Sequence, residues 1–257
     1  MTTYVRFERP PAISSKSSGG SAPATFSANQ ASTPSRSIPS IASGSLMAAN
    51  PSDRPAARRA LIVDYGGVLT TNIWTAFGEF CETEGLDRDA VLNLFREDSD
   101  ALALLRGLET GELDEAAFEP PFAALLGLDD HDGLIGRLFA GLGPDEAMIG
   151  AVQKARASGV VTGLITNSWG LGIYDRAPVD LFDATVVSGD VGLHKPQPEI
   201  YHLACERLSI EPAQAVFVDD LRENVAGAEA VGMATVLHRD SGATIAELEG
   251  LLDIALA

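Results

Sequence analysis

The sequence predicts an α/β fold built on a parallel sheet, preceded by a disordered segment and interrupted by a long helical insert. Three observations carry this. From Arg59 onward, short apolar runs alternate with helix-period stretches, the pattern of strands and helices taking turns around a parallel sheet. Residues 71–142 keep helical periodicity with no good strand, far beyond the 2–6 residues of an ordinary connection. Residues 1–58 are rich in Ser, Pro and Ala, as in "SSKSSGGSAPATFSANQASTPSRSIPS", and lack the apolar content that would repay ordering.

The segment 1–58 bears six Lys or Arg and two acids. Its Arg, Ser and scarcity of acids fit a targeting peptide. An over-extended start fits equally, since Met47 opens a shorter product. The remaining residues hold 12 basic and 34 acidic side chains. A body so acidic repels nucleic acid over most of its surface, so any anion it binds is held by local positive charge or a metal. No apolar run approaches the roughly 18 residues of a membrane helix. Cys81 and Cys205 sit in helix-like stretches and read as small buried apolar residues, which fits a reducing, cytoplasmic setting.

In chain order, strands are expected at 60–63, 160–165, 185–187, 215–218 and 234–237. The insert opens with a helix whose apolar residues Ile73, Trp74, Phe77, Phe80 and Cys81 share one face. After the fourth strand, Leu221, Val225, Ala228 and Val231 are spaced for a helix face, and Gly232 follows as a stop.

Three of these strands run into Asp64, Thr166 and Asp219, and Asp220 follows directly. Parallel strands end on one edge, where open α/β sheets bind their ligands. Carboxylates gathered there repel one another unless a cation sits among them. Oxygen-only donors suit a hard ion such as Mg2+. Lys195, in "GLHKPQPEIY", is one of three lysines in the chain. A carboxylate nucleophile, a divalent metal, a lysine and a small hydroxyl make a set for phosphoryl transfer.

The motifs "VDYGGVLTT", "LITNS", "HKPQPEIY" and "VFVDDLRENVAGAEAVG", in that order over 60–238, resemble those of the haloacid dehalogenase-like (HAD) hydrolase superfamily. The resemblance implies a Rossmann-like parallel sheet core, 59–70 and 143–257, with a helical cap domain inserted at 71–142 and a disordered N-terminal tail at 1–58. It implies that Asp64 is the nucleophile forming an aspartyl-phosphate and also touches Mg2+. The Gly66 carbonyl would be a further metal ligand, and Asp220 with Asp219 would complete the metal site. Thr166 and the Asn167 backbone amide would hold a phosphoryl oxygen, and Lys195 would neutralise charge on Asp64 and the transferring group.

Each motif also has a plainer reading. Asp64 could cap a turn before Gly66 and Gly67. Thr166, Asn167 and Ser168 could cap a helix, a role compatible with anion binding. Helix capping explains one of Asp219 and Asp220 but hardly both. His194 reads as structural, His131 as a loop residue, and Trp169 as packing or a substrate contact. The acids Glu109, Glu112, Asp114 and Glu115 read as a solvated face.

The resemblance covers several chemistries. Haloacid dehalogenases also lack an acid two residues after the nucleophile, but need no metal and lack paired acids in the fourth motif. Phosphonatases use a cap lysine, and 71–142 contains none. Phosphomutases need the acid that Gly66 replaces. The expectation is therefore a Mg2+-dependent phosphatase acting on a small phosphorylated metabolite. A non-catalytic protein that binds a phosphorylated ligand and a dehalogenase stand as alternatives. In HAD phosphatases the residue at the Gly66 position is usually an Asp that protonates the leaving oxygen. Its absence implies either a substrate with a good leaving group, which the sequence favours, or a cap carboxylic acid or bound water in its place.

Overall fold

The computed structural model describes residues 59–167 and 179–257. The expectations for the segment 1–58, Ser168 and Trp169 lie outside the described residues. Strand β1 (Ala60–Val63) is buried on both faces. Its odd residues Leu61 and Val63 belong to one apolar cluster and its even residues Ala60 and Ile62 to another. Such two-sided burial is what a central strand of a covered parallel sheet requires.

After β1 come α1 (Ile73–Thr83), α2 (Ala90–Glu97), α3 (Ser99–Thr110), α4 (Glu115–Leu126) and α5 (Leu134–Leu138). These five helices close on an apolar cluster of their own, including Phe77, Phe118, Phe122, Leu134 and Leu138. Phe118 and Phe122 stack one helical turn apart, with ring centroids 4.9 Å apart. The two chain segments joining this insert to the sheet run side by side. Thr70 bridges Pro144 antiparallel, the Thr71 amide donates to the Gly143 carbonyl at 2.8 Å, and the Asp145 amide donates to the Leu69 carbonyl at 2.9 Å.

The sheet continues with α6 (Glu146–Ala157), β2 (Val161–Thr166), β3 (Ala184–Val187), α7 (Ser188–Val191), α8 (Pro198–Leu208), β4 (Ala215–Asp219), α9 (Arg222–Ala230), β5 (Ala234–Leu237) and α10 (Ser241–Leu252). All five strands are parallel, in the order β3-β2-β1-β4-β5. From β1 the chain builds outward in one direction to β2 and β3, then returns to build β4 and β5 on the other side. A crevice opens where that order reverses, outside the carboxyl ends of the central strands.

Two expected helix faces are corrected. In α1, Phe77, Phe80 and Cys81 are buried, but Ile73 is only half-buried and Trp74 is 38% exposed. In α9 the buried residues are Asn224 and Ala228, not Leu221 or Val225, and Leu221 is 41% exposed. The buried face of α9 includes a polar residue because Asn224 has acidic partners beneath it.

Candidate active site

Strand register places the candidate groups. Val63 is level with Val218 on one side and with Leu164 on the other. Asp64 is therefore level with Asp219, and Thr166 stands one residue beyond it. The Asp64 amide donates to the Val218 carbonyl at 2.9 Å, so the ladder holds until the acid is reached. Asp64, Asp219 and Asp220 each offer a carboxylate oxygen within 4.8 Å of the others.

Lys195 enters this acidic cluster from the loop before α8 and is only 3% exposed. Its Nζ lies 2.8 Å from Asp64 Oδ1 and 2.7 Å from Asp219 Oδ2. Burial alone would lower the lysine pKa, but the Asp219 and Asp64 carboxylates outweigh it and hold the ammonium above its ordinary range. Its backbone is gripped as well. The Asn167 side chain accepts from the Lys195 amide at 2.9 Å and donates to its carbonyl at 3.2 Å. His194 contacts the same carbonyl through Nδ1 at 2.9 Å, in line with a structural role.

Asp219 is fully buried, and both its oxygens are occupied. Oδ1 accepts from the Leu221 amide at 2.9 Å and Asn224 Nδ2 at 3.0 Å, while Oδ2 accepts from Lys195 and, at 3.1 Å, from Asn224. Asn224 is in turn fixed at its backbone, where its carbonyl accepts from Tyr201 Oη at 2.8 Å. The sequence contained the signal for Asn224, a polar residue five after Asp219. Helical spacing placed it off the apolar face, and only the carboxylate beneath it explains its burial.

Three acids around one ammonium leave negative charge uncompensated. Burial first, then Asp219 and Asp220, push Asp64 up to about 7 against the pull of Lys195. Burial and Asp219 push Asp220 up to about 6. A divalent cation among these oxygens would offset that repulsion, and the donor set is all carboxylate, so the residues fit a hard ion. No His or Cys joins the cluster among the described residues.

Gly66 has no left-handed φ, so its backbone does not demand glycine. The direction a side chain would take is filled by the tip of Ile73 from α1. Gly67 differs: its φ is +75°, and a Cβ there would lie 2.6 Å from Asp220 Oδ2. The first glycine leaves room for the insert, and the second leaves room for the acid.

Core and insert enclose a cavity of about 140 Å³. Asp64, Thr166, Asn167, Lys195, Asp220 and Asn224 line its sheet side, and Ile73, Trp74, Phe77, Leu105, Phe139 and Leu142 line the insert side. One charged side chain interrupts the apolar wall. Glu109 also lines the cavity, which overturns its reading as part of a solvated face. It sits in the last turn of α3, which packs on α7. The Ser188 hydroxyl donates to the Glu109 carbonyl at 2.5 Å. Glu109 Oε1 lies 3.5 Å from Asn167 Nδ2, and burial raises the carboxyl above the ordinary glutamate value. By contrast Glu112 and Asp114 are exposed, and Asp114 caps α4 through the Ala117 amide. Periodicity could not separate Glu109 from these neighbours, because the surface that covers it comes from 79 residues further along the chain.

No helix among the described residues is long and apolar enough to cross a membrane. Residues 58–232 match the family model of the haloacid dehalogenase-like hydrolases. Acyl-CoA dehydrogenase family member 10 of Mus musculus is 28% identical over 208 residues, 77% of this chain and 19% of that protein. Glyceraldehyde 3-phosphate phosphatase of Methanopyrus kandleri is 33% identical over 131 residues, 47% of this chain and 52% of that one. The chain thus spans about a fifth of the mouse relative and about half of the archaeal one. A predicted HAD-like family hydrolase from Porphyromonas gingivalis superposes with a TM-score of 0.62 at 21% identity, covering 77% of this chain and 98% of that one. A dehalogenase structure superposes at 0.57, also at 21% identity over 77% and 98%. With the family model covering most of the chain and the fold shared, the protein belongs to the haloacid dehalogenase-like hydrolases.

Proposed function

We propose that the protein is a Mg2+-dependent phosphatase that cleaves a small phosphomonoester through an aspartyl-phosphate on Asp64. The observation that carries this reading is the three-acid cluster around one buried lysine at the ends of adjacent strands. A dehalogenase nucleophile has no use for a second and third carboxylate at its side, whereas a hard cation does. The phosphatase relative from Methanopyrus kandleri points the same way.

Asp64 and Asp220, which keep open carboxylate oxygens, would hold the ion, with the Gly66 carbonyl as a further ligand. Asp219, with both oxygens hydrogen-bonded, chiefly holds Lys195 in place. When bound there, Mg2+ would offset the negative charge of the phosphoryl oxygens. Thr166 and the Asn167 amide bind a phosphoryl oxygen, and Lys195 balances the charge that builds up on Asp64 and phosphorus. Asp64 attacks phosphorus, the ester oxygen departs, and water then hydrolyses the acyl phosphate to restore the carboxylate. Residues 71–142 act as the cap. Their apolar wall excludes bulk water, which would otherwise weaken these interactions and compete for the intermediate.

A screen of phosphomonoesters with Mg2+ and with EDTA tests this reading. Steady phosphate release with Mg2+, and none in EDTA, is the expected result. Halide release from a 2-haloacid in EDTA would assign the dehalogenase chemistry instead. Stoichiometric ligand binding with no turnover of any ester would assign a binding protein.

A further inference from the structure

The proposed hydrolase has no acid at position 66 to protonate the leaving group, and the structure shows why none could stand there without rearrangement. Ile73 fills the space where a side chain on Gly66 would begin. An acid on another wall of the cavity would supply the ester oxygen with its proton. Of the side chains the insert presents to that cavity, only Glu109 can carry one.

We propose that Glu109 supplies the proton Gly66 lacks, as the general acid of the first step and the general base of the second. This rests on the phosphatase reading of the site. Its position supports the role. Glu109 Oε1 accepts from the Asn167 side-chain Nδ2 at 3.5 Å, and Asn167 directly follows Thr166 at the end of β2. Among the described residues Oε2 has no hydrogen-bond partner and is left to hold the proton. The carboxyl must also be neutral to serve. An ionised glutamate facing a bound phosphate dianion would repel it, whereas a protonated one donates to it. Burial raises the Glu109 carboxyl above the ordinary glutamate value, against the pull of His194, the Asn167 hydrogen bond, Lys195 and Arg106.

The steps balance. An Asp64 oxygen bonds to phosphorus as the bond to the ester oxygen breaks. The electron pair stays on that oxygen, which takes the Glu109 proton and leaves as a neutral alcohol. Water then bonds to phosphorus, passing a proton to the Glu109 carboxylate. The bond from phosphorus to Asp64 breaks, and the aspartate and glutamic acid are both restored.

Glu109→Gln in the full chain tests the assignment by single-turnover rates of alcohol or nitrophenol release, which report the first step alone, from an alkyl phosphate and from p-nitrophenyl phosphate, with Mg2+. An alkoxide needs the proton and a nitrophenolate does not. The expected result is a fall of ~10²–10⁴-fold on the alkyl ester, with the aryl rate within about threefold of wild type, and partial recovery of the alkyl rate in Glu109→Asp. Equal losses on both esters would reduce Glu109 to a positioning contact for the cap and overturn the proposal. So would an unchanged alkyl rate in Glu109→Gln. If Glu109→Gln does not fold, the leaving-group series on Glu109→Asp decides, and a flat loss across it overturns the proposal. No phosphate release by wild type from either ester would instead sink the phosphatase reading itself, and Glu109 with it.

Discussion

The two walls of the cavity are built on opposite principles. On the sheet side, two charged groups are pinned by several hydrogen bonds: Asp219 accepts four, and Lys195 is held at its amide, its carbonyl and its ammonium. On the insert side, the contacts are apolar and edge-on, such as Trp74 to Phe77 at 5.8 Å and Phe77 to Phe139 at 5.3 Å, with Glu109 the exception. Directional bonds fix where charge develops, so under the proposed function the sheet side would set the reaction. Apolar contacts exclude water and tolerate exchange of shape, so the insert would set which leaving group is admitted. Substitutions on the two walls should therefore fail in different ways.

The largest effect is expected at Asp64. Asp64→Asn should bring phosphate release to the buffer background while the melting temperature holds or rises, since one charge leaves a crowded buried cluster. Full turnover in this variant would break the comparison, because the sheet wall would then hold no chemistry.

A sharper test crosses the two walls. If Glu109 does the work of a residue missing from the sheet side, a carboxyl placed at position 66 should replace it. The Gly66 backbone accepts a side chain once Ile73 is shortened. Gly66→Asp with Ile73→Ala, added to Glu109→Gln, should restore at least about tenfold of the lost alkyl-ester rate. Equal slowness of the triple and single variants would show that the two positions do not serve one proton.

Asn224 should show an intermediate effect of a different kind. Asn224→Ala removes two donors from the buried Asp219 carboxylate, at a cost of about 1–3 kcal/mol in denaturant unfolding. Turnover should fall alike for aryl and alkyl esters, by up to about 10²-fold, because Lys195 and Asp219 lose their alignment. A selective loss on one ester class would place Asn224 with the substrate-selecting wall.

The smallest effect is on stability against pH. A glutamic acid raised by burial binds its proton more tightly folded than unfolded. Its contribution is full below its ordinary value of 4.5 and is lost as the pH rises through the folded value. The melting temperature of Glu109→Gln should therefore gain on wild type as the pH rises from about 4.5 through neutrality. A constant difference across that range would mean that Glu109 does not titrate on the folded protein.

How far each wall was legible in the sequence follows from the same contrast. Asp64, Thr166, Lys195, Asp219 and Asp220 could be read because each adjoins a strand end or a short motif, and parallel strands share an edge whatever their partners. Strand positions held to within a residue, as with 160–165 against Val161–Thr166. The insert wall could not be read in the same way. Trp74 and Phe80 both fall on the apolar face of α1, yet Trp74 lines the cavity and Phe80 is buried behind it. Glu109 looked no different from Glu112, because what covers it is α7, which sequence spacing does not bring near. Position along a strand is a local fact, whereas facing a cavity depends on docking between distant segments.

That docking turns on a meeting of two glycines. Gly111, with φ +72°, crosses so close to Gly189 that a Cβ would stand 2.5 Å from its carbonyl oxygen. Gly111 thus acts as the thickness gauge of the site, two residues from Glu109. An alanine there would work like a shim under a hinge plate, prising the cap from its seat without touching a reacting atom. The enzyme's range of leaving groups could then be widened by methyl-sized increments at a point remote from its chemistry.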